Sequence, residues 1–231
     1  MRVLVTRPRE DADATAAKLT ALGHDAIVAP LLEIRFREGP AISLDGVQAI
    51  LATSANGVRA IARRTPRRDV ALFAVGRQTA DAARRAGFGA VQSADGDGAA
   101  LTRAAARWAK RDGGSLLHAA GAETKGDLAA ALVKDGFDLL TEVLYESVAV
   151  DTLPEAAADA LRARALDAAL FFSPRSAHVF SDLVRKAGLS CDVALAIAIS
   201  PAAAKALDGL VFKEVRVAQS PDQDALLTLL D

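Results

Sequence analysis

Short apolar runs alternate with amphipathic stretches along the whole chain. Val3 to Thr6 is apolar and β-branched, which predicts a buried strand. Residues 9–22 follow with Ala12, Ala16, Leu19 and Leu22 on one helical face. Gly23 then stands where a left-handed residue ends a helix. Residues 26–29 give the next strand, stopped by Pro30. Further strands are predicted at 47–52, 70–75, 115–119, 138–149, 168–172, 193–199 and 214–218. Helices are predicted between them at 55–64, 77–86, 98–111, 125–134, 154–165, 174–186, 201–207 and 221–230. Strands alternating with helices of this length predict an α/β protein of parallel sheets covered on both faces.

An internal repeat divides this alternation in two. Ala49 to Asn56 resembles Ala168 to Arg175: in each, an apolar strand runs into a Ser at a helix start. Phe73-Ala74-Val75-Gly76 corresponds to Ile197-Ala198-Ile199-Ser200. Gln92 to Asp97 corresponds to Gln219 to Asp224. The three matches keep their order, with offsets growing only from 119 to 127. The period is too long for a solenoid and predicts two similar domains. The second unit is short by a strand–helix–strand, and residues 1–30 supply one. The two domains are therefore expected to be interleaved, with 1–33 joined to 150–231 and 38–147 inserted. Residues 34–37 and 143–149 would be the connecting strands, pairing as an antiparallel two-stranded ladder that serves as a hinge. The active-site cleft is expected between the domains.

Composition narrows the chemistry. The 231 residues hold one Cys and three His, which excludes a disulfide framework and any Cys-based zinc site, and weighs against a His-rich metal cage. Basic and acidic residues number 28 and 29, so the broad basic surface of a nucleic-acid binder is missing. No apolar run is long enough to span a membrane. The start goes directly into a strand without the pattern of a secretory signal, so a cytoplasmic location is expected.

In open parallel sheets, ligands sit at the carboxyl ends of strands, beside helix N-termini. Those loops hold Thr6, Arg7, Ser54, Asn56, Gly76, Gln78, Thr79, Gly121, Lys125, Ser173, Arg175, Ser176 and Ser200. They are mostly hydroxyls, amides, glycines and single cations. This set suits gripping anions through side-chain donors and backbone N–H groups. A ligand with several carboxylates or phosphates follows. Each Ser that precedes a helix also reads as a plain N-cap. The cluster of Arg59, Arg63, Arg64, Arg67 and Arg68 reads as a solvated face, and His118 as a satisfied core residue. No GxSxG, Walker A, HExxH or strand-following GxGxxG occurs, so a cofactor-free enzyme or a pure binder is favoured.

The ordered motifs resemble uroporphyrinogen-III synthases. They are Val3-Leu4-Val5-Thr6-Arg7-Pro8, Pro30-Leu31-Leu32-Glu33-Ile34, Thr53-Ser54-Ala55-Asn56-Gly57-Val58 and Val75-Gly76-Arg77-Gln78-Thr79-Ala80. Gly121 with Lys125 and Leu128, Tyr145 on its strand, and Phe172-Ser173-Pro174-Arg175-Ser176-Ala177 complete the series. The resemblance implies two interleaved α/β domains and no metal or organic cofactor. It implies cyclisation of linear hydroxymethylbilane to uroporphyrinogen III, with ring D inverted through a spiro intermediate. It makes Tyr145 the group that assists hydroxyl departure. A small-molecule polycarboxylate is then the partner, and neither nucleic acid nor membrane; the chain is expected to be a monomer. One motif departs: where the family often shows Gly-Pro-Thr-Thr-Ala, this chain has Ser200-Pro201-Ala202-Ala203-Ala204. The loss of two hydroxyls keeps open a second reading, a non-catalytic binding or regulatory protein for a tetrapyrrole-like polycarboxylate.

Overall fold

The computed structural model describes residues 1–123 and 127–230. The chain opens with β1 (Arg2–Val5), α1 (Arg9–Ala21), β2 (Asp25–Val28) and β3 (Leu32–Phe36). It continues through β4 (Val47–Ala52), α2 (Ala55–Arg64), β5 (Ala71–Ala74), α3 (Arg77–Arg85), β6 (Val91–Ser93) and α4 (Gly98–Trp108). Then come β7 (Ser115–Gly121), α5 (Leu128–Lys134), β8 (Leu139–Ala149), α6 (Glu155–Arg162), β9 (Ala168–Phe171) and α7 (Pro174–Ala187). It closes with β10 (Cys191–Ala198), α8 (Pro201–Lys205), β11 (Phe212–Val217) and α9 (Gln223–Leu227). Contacts divide it into two units, Met1–Glu33 with Val148–Asp231, and Ile34–Ser147.

The discontinuous unit holds a five-stranded parallel sheet in the order β11-β10-β9-β1-β2. Its three central strands, β10, β9 and β1, are apolar almost throughout because both faces are covered. Leu4, Ala169, Phe171 and Ala196 pack on one face against Phe180 and Val184 of α7 and Leu161 of α6. Val3, Val5, Leu170 and Ile197 pack on the other against Leu19 of α1 and Leu226 of α9. Gly23 ends α1 at φ +81, a conformation that costs an L side chain energy.

The continuous unit holds six strands in the order β3-β8-β7-β4-β5-β6. All are parallel except β3, whose ladder with β8 is bracketed by Arg37 N–H to Leu144 O and Val150 N–H to Leu31 O and so runs antiparallel. Apart from that edge strand, the order repeats that of the other sheet. β4, β5 and β6 stand where β9, β10 and β11 stand, and β7 and β8 where β1 and β2 stand. Ile50, Leu72 and Leu117 pack against Val58 and Ile61 of α2 and Ala80 and Ala83 of α3. Leu51, Phe73 and Leu116 pack against Leu101 of α4 and Leu132 of α5. The alanines let helices lie close to the sheet.

Three expectations are corrected here. Residues 91–93, which the pattern assigns to no strand, form β6 beside β5. The arginine cluster is not simply a solvated face. Arg68 donates to the carbonyls of Ala62, Thr65, Arg67 and Ala86, where helix ends leave acceptors unpaired. Arg64 binds the carbonyls of Arg37 and Pro40, and Arg63 stacks 3.8 Å over Phe36. The helices predicted at 98–111 and 154–165 end sooner, at Trp108 and Arg162.

His118 is buried as expected but not satisfied. It pairs with Leu51 as Val5 pairs with Leu170, so it occupies the counterpart of an apolar core position. It is 4 % exposed, and its Nε2 finds no partner. Burial pushes its pKa below the usual 6.5. The unfolded chain takes up this proton and the folded one resists it. Stability is therefore complete above about pH 6.5 and falls as pH drops toward the folded value. Carboxylates held low by arginine partners, such as Asp69 and Asp192, titrate below that window. Chemical denaturation between about pH 7.5 and about pH 5.5 is expected to show this loss, at up to about 1.4 kcal/mol per pH unit, and His118→Val is expected to flatten it. An unchanged slope in the variant would place the proton elsewhere.

Candidate active site

Three candidates of the continuous unit, Ser54, Gly121 and Tyr145, meet where β4 and β7 end beside the middle of β8. Ser54 follows β4 in extended backbone and caps α2, its Oγ accepting the Gly57 N–H at 3.1 Å. That cap is worth about 1 kcal/mol. The same Oγ lies 2.7 Å from Oη of Tyr145 on β8. The register between β7 and β8 shifts between Ala120 and Gly121, which sets Gly121 beside Tyr145. The Ala122 N–H then donates to the Tyr145 carbonyl at 2.8 Å. A Cβ on Gly121 would lie 2.8 Å from Cζ and 3.0 Å from Oη of Tyr145. The phenol is thus held over a position that only glycine leaves open.

Tyr145 is the single tyrosine of the chain. Burial raises its pKa above the usual 10, and the Ser54 hydrogen bond opposes that rise. The phenol is protonated at neutral pH and can donate. Nearby in sequence, Asn56 Oδ1 accepts from Arg59 at 2.7 Å. Gly76 precedes α3 without a side-chain cap. Gln78 is exposed and Thr79 buried. Lys125 lies outside the described residues.

In the discontinuous unit, Ser173 caps α7 through the Ser176 N–H at 3.1 Å, and the two hydroxyls lie 2.9 Å apart. Arg175, between them, is half-buried. Ser200 caps α8 through the Ala203 N–H at 3.3 Å. Two expected ligand groups are turned inward. The fully buried Thr6 hydroxyl donates to Leu170 O at 2.7 Å. Arg7 is 6 % exposed, stacks 4.2 Å over Phe172, and donates to Thr15 Oγ1 and Gln223 Oε1. Its charge faces Asp11 at 3.5 Å. These two side chains hold the loop rather than face a ligand.

Sequence reasoning missed Gly57, Thr15 and Gln223. A Cβ on Gly57 would meet the Ala119 carbonyl at 2.6 Å, so α2 lies against β7 there. A glycine inside a predicted helix was the available signal. Thr15 and Gln223 carried none. A groove of about 430 Å³ lined by Lys18, Leu22, His24 and Asp224 contains none of the candidates. Among the described residues, no three His, Cys, Asp or Glu side chains gather to hold a metal. No helix among them is long and apolar enough to cross a membrane.

The profile of the uroporphyrinogen-III synthase HemD family matches residues 13–228. The chain belongs to that family. As a uroporphyrinogen-III synthase, it is a cyclising lyase of tetrapyrrole biosynthesis acting on a small-molecule substrate. The fold is similar to that of the uroporphyrinogen-III synthetase of Helicobacter pylori, at 18 % identity and a TM-score of 0.64 over 90 % of this chain and 92 % of that one. It is also similar to a mutant uroporphyrinogen III synthase of Thermus thermophilus, at 18 % identity and a TM-score of 0.52 over 100 % and 97 %. No curated protein matches in sequence.

Proposed function

We propose that this synthase closes hydroxymethylbilane to uroporphyrinogen III with Tyr145 as the general acid. The observation that carries the reading is the protonated, half-buried Tyr145 phenol, fixed by Ser54 and Gly121 at the strand ends. The phenol donates to the hydroxymethyl oxygen, the C–O bond breaks, and water leaves. A conjugated cation remains on the terminal pyrrole. The last ring attacks it through its substituted carbon, giving a spiro intermediate that fragments and recloses with ring D inverted. A proton lost from the ring at final closure balances the one given to water.

The bilane closes unaided to the wrong isomer, so positioning is the main task. Backbone N–H groups opening α2, α3 and α7, with Asn56, Gln78, Arg175 and Lys125, are the groups we assign to substrate carboxylates. The enzyme acts in the cytoplasm as a monomer, with the substrate as its only reactant. Hydroxymethylbilane supplied to the purified protein is expected to yield the type III isomer, resolved from type I after oxidation. Type I alone, at the rate seen without protein, would sink the assignment. That outcome would favour the binding-protein reading, which the two missing threonine hydroxyls after Ser200 support.

A further inference from the structure

We infer that Ser54 is a positioning residue for the Tyr145 proton, releasing it toward the substrate and then stabilising the oxygen left behind. The inference rests on the general-acid reading of Tyr145. It follows from counting donors and acceptors at one oxygen. A serine hydroxyl has one proton to give and two lone pairs. At Ser54 one lone pair is taken by the Gly57 N–H. The place of that N–H is fixed, because Gly57 sits hard against the Ala119 carbonyl. One proton and one lone pair then remain for Tyr145 Oη at 2.7 Å, and either oxygen can donate.

Substrate removes that freedom. When the hydroxymethyl oxygen accepts from Tyr145, the phenol proton is committed outward. Oη is left as an acceptor, and the Ser54 proton fills it. Proton transfer completes the change: the Oη–H bond breaks, water forms on the substrate, and the C–O electron pair leaves with it. The negative charge now on Oη faces a chain of donors running from the Gly57 N–H through the Ser54 hydroxyl. That chain ends on the first turn of α2, ten residues long, whose positive end favours the charge. The proton lost at ring closure restores the phenol. Gly121 keeps the ring within reach of this chain.

A plain N-cap makes a different prediction, and three substitutions separate the two. Ser54→Ala removes cap and donor. Ser54→Asp keeps a capping acceptor but cannot donate. Ser54→Thr keeps both. The relay predicts that Ala and Asp each lower kcat by about 10–100-fold with KM little changed, the span of a hydrogen bond to a charged group, and that Thr stays near wild type. Asp97→Ala, which removes the comparable cap of α4, measures what cap loss alone does. Turnover restored by Asp, or lost in step with melting temperature across all four variants, would overturn the proposal.

A second readout needs no turnover. With one tyrosine in the chain, tyrosinate absorbance titrates Tyr145 alone. Ser54→Ala is expected to move that midpoint upward, since the lost bond favours the ionised form; an unmoved midpoint overturns the inference. This is separable from failure of the proposed function, which shows as a wild type that makes no type III isomer.

Discussion

Tyr145→Phe is expected to lower turnover by about 10–1,000-fold, the span of general acid contributions, while the melting temperature changes little. The ring stays, packed against the core that includes Leu117, Ala119 and Leu144. Only Oη is lost, and with it one hydrogen bond to Ser54. Ser54 keeps its cap on α2, so the strand end survives. The phenol is half-buried, and burial holds it protonated through the neutral range. A donor already in its acid form needs no ionisation before it acts. Steady-state kinetics at neutral pH, with both isomers quantified, measures the effect. Residual product is expected to shift toward type I, because slower departure of the hydroxyl gives the unaided closure time to compete. Wild-type turnover in the Phe variant would remove Tyr145 from the mechanism.

Gly121→Ala is expected to lower turnover by about 100-fold, the cost of misplacing a reacting group by about 1 Å. The added methyl meets Cζ at 2.8 Å and Oη at 3.0 Å, closer than a relaxed contact. Something must shift. The obstructing atoms are the far end of one side chain rather than backbone, so the ring swings and the fold stays. A fall in kcat with a near-unchanged melting temperature is therefore the expected pattern. Gly57→Ala presents the opposite case, because there the obstruction is the Ala119 carbonyl itself. Turnover near wild type in Gly121→Ala would show that the ring has room to spare.

The sheet strands were legible because covering both faces makes parallel strands run apolar, as in Val3-Leu4-Val5 and Ile50-Leu51-Ala52. The helix starts were legible because Ser54, Ser173 and Ser200 are chemically fit to cap them, and they do. β6 was not, since a three-residue strand leaves no period to detect. At the site, the family motifs pointed to Ser54, Gly121 and Tyr145 separately. What joins them is a register shift at Ala120/Gly121, which no spacing in the sequence announces. Arg7 shows the same limit from the other side. An arginine after a strand reads as an anion ligand until Gln223, 216 residues away, is seen to hold it.

The division of the chain also sets an order of assembly. Every pairing of β4 to β8 lies within one uninterrupted stretch, so this sheet can close while later residues are still being synthesised. β1 has no such freedom. Its partner β9 joins Val3 to Ala168, a loop closure that waits for most of the polypeptide. Until then apolar β1 has only β2 beside it, and an unpaired strand edge of this kind exposes a nascent chain to misassociation.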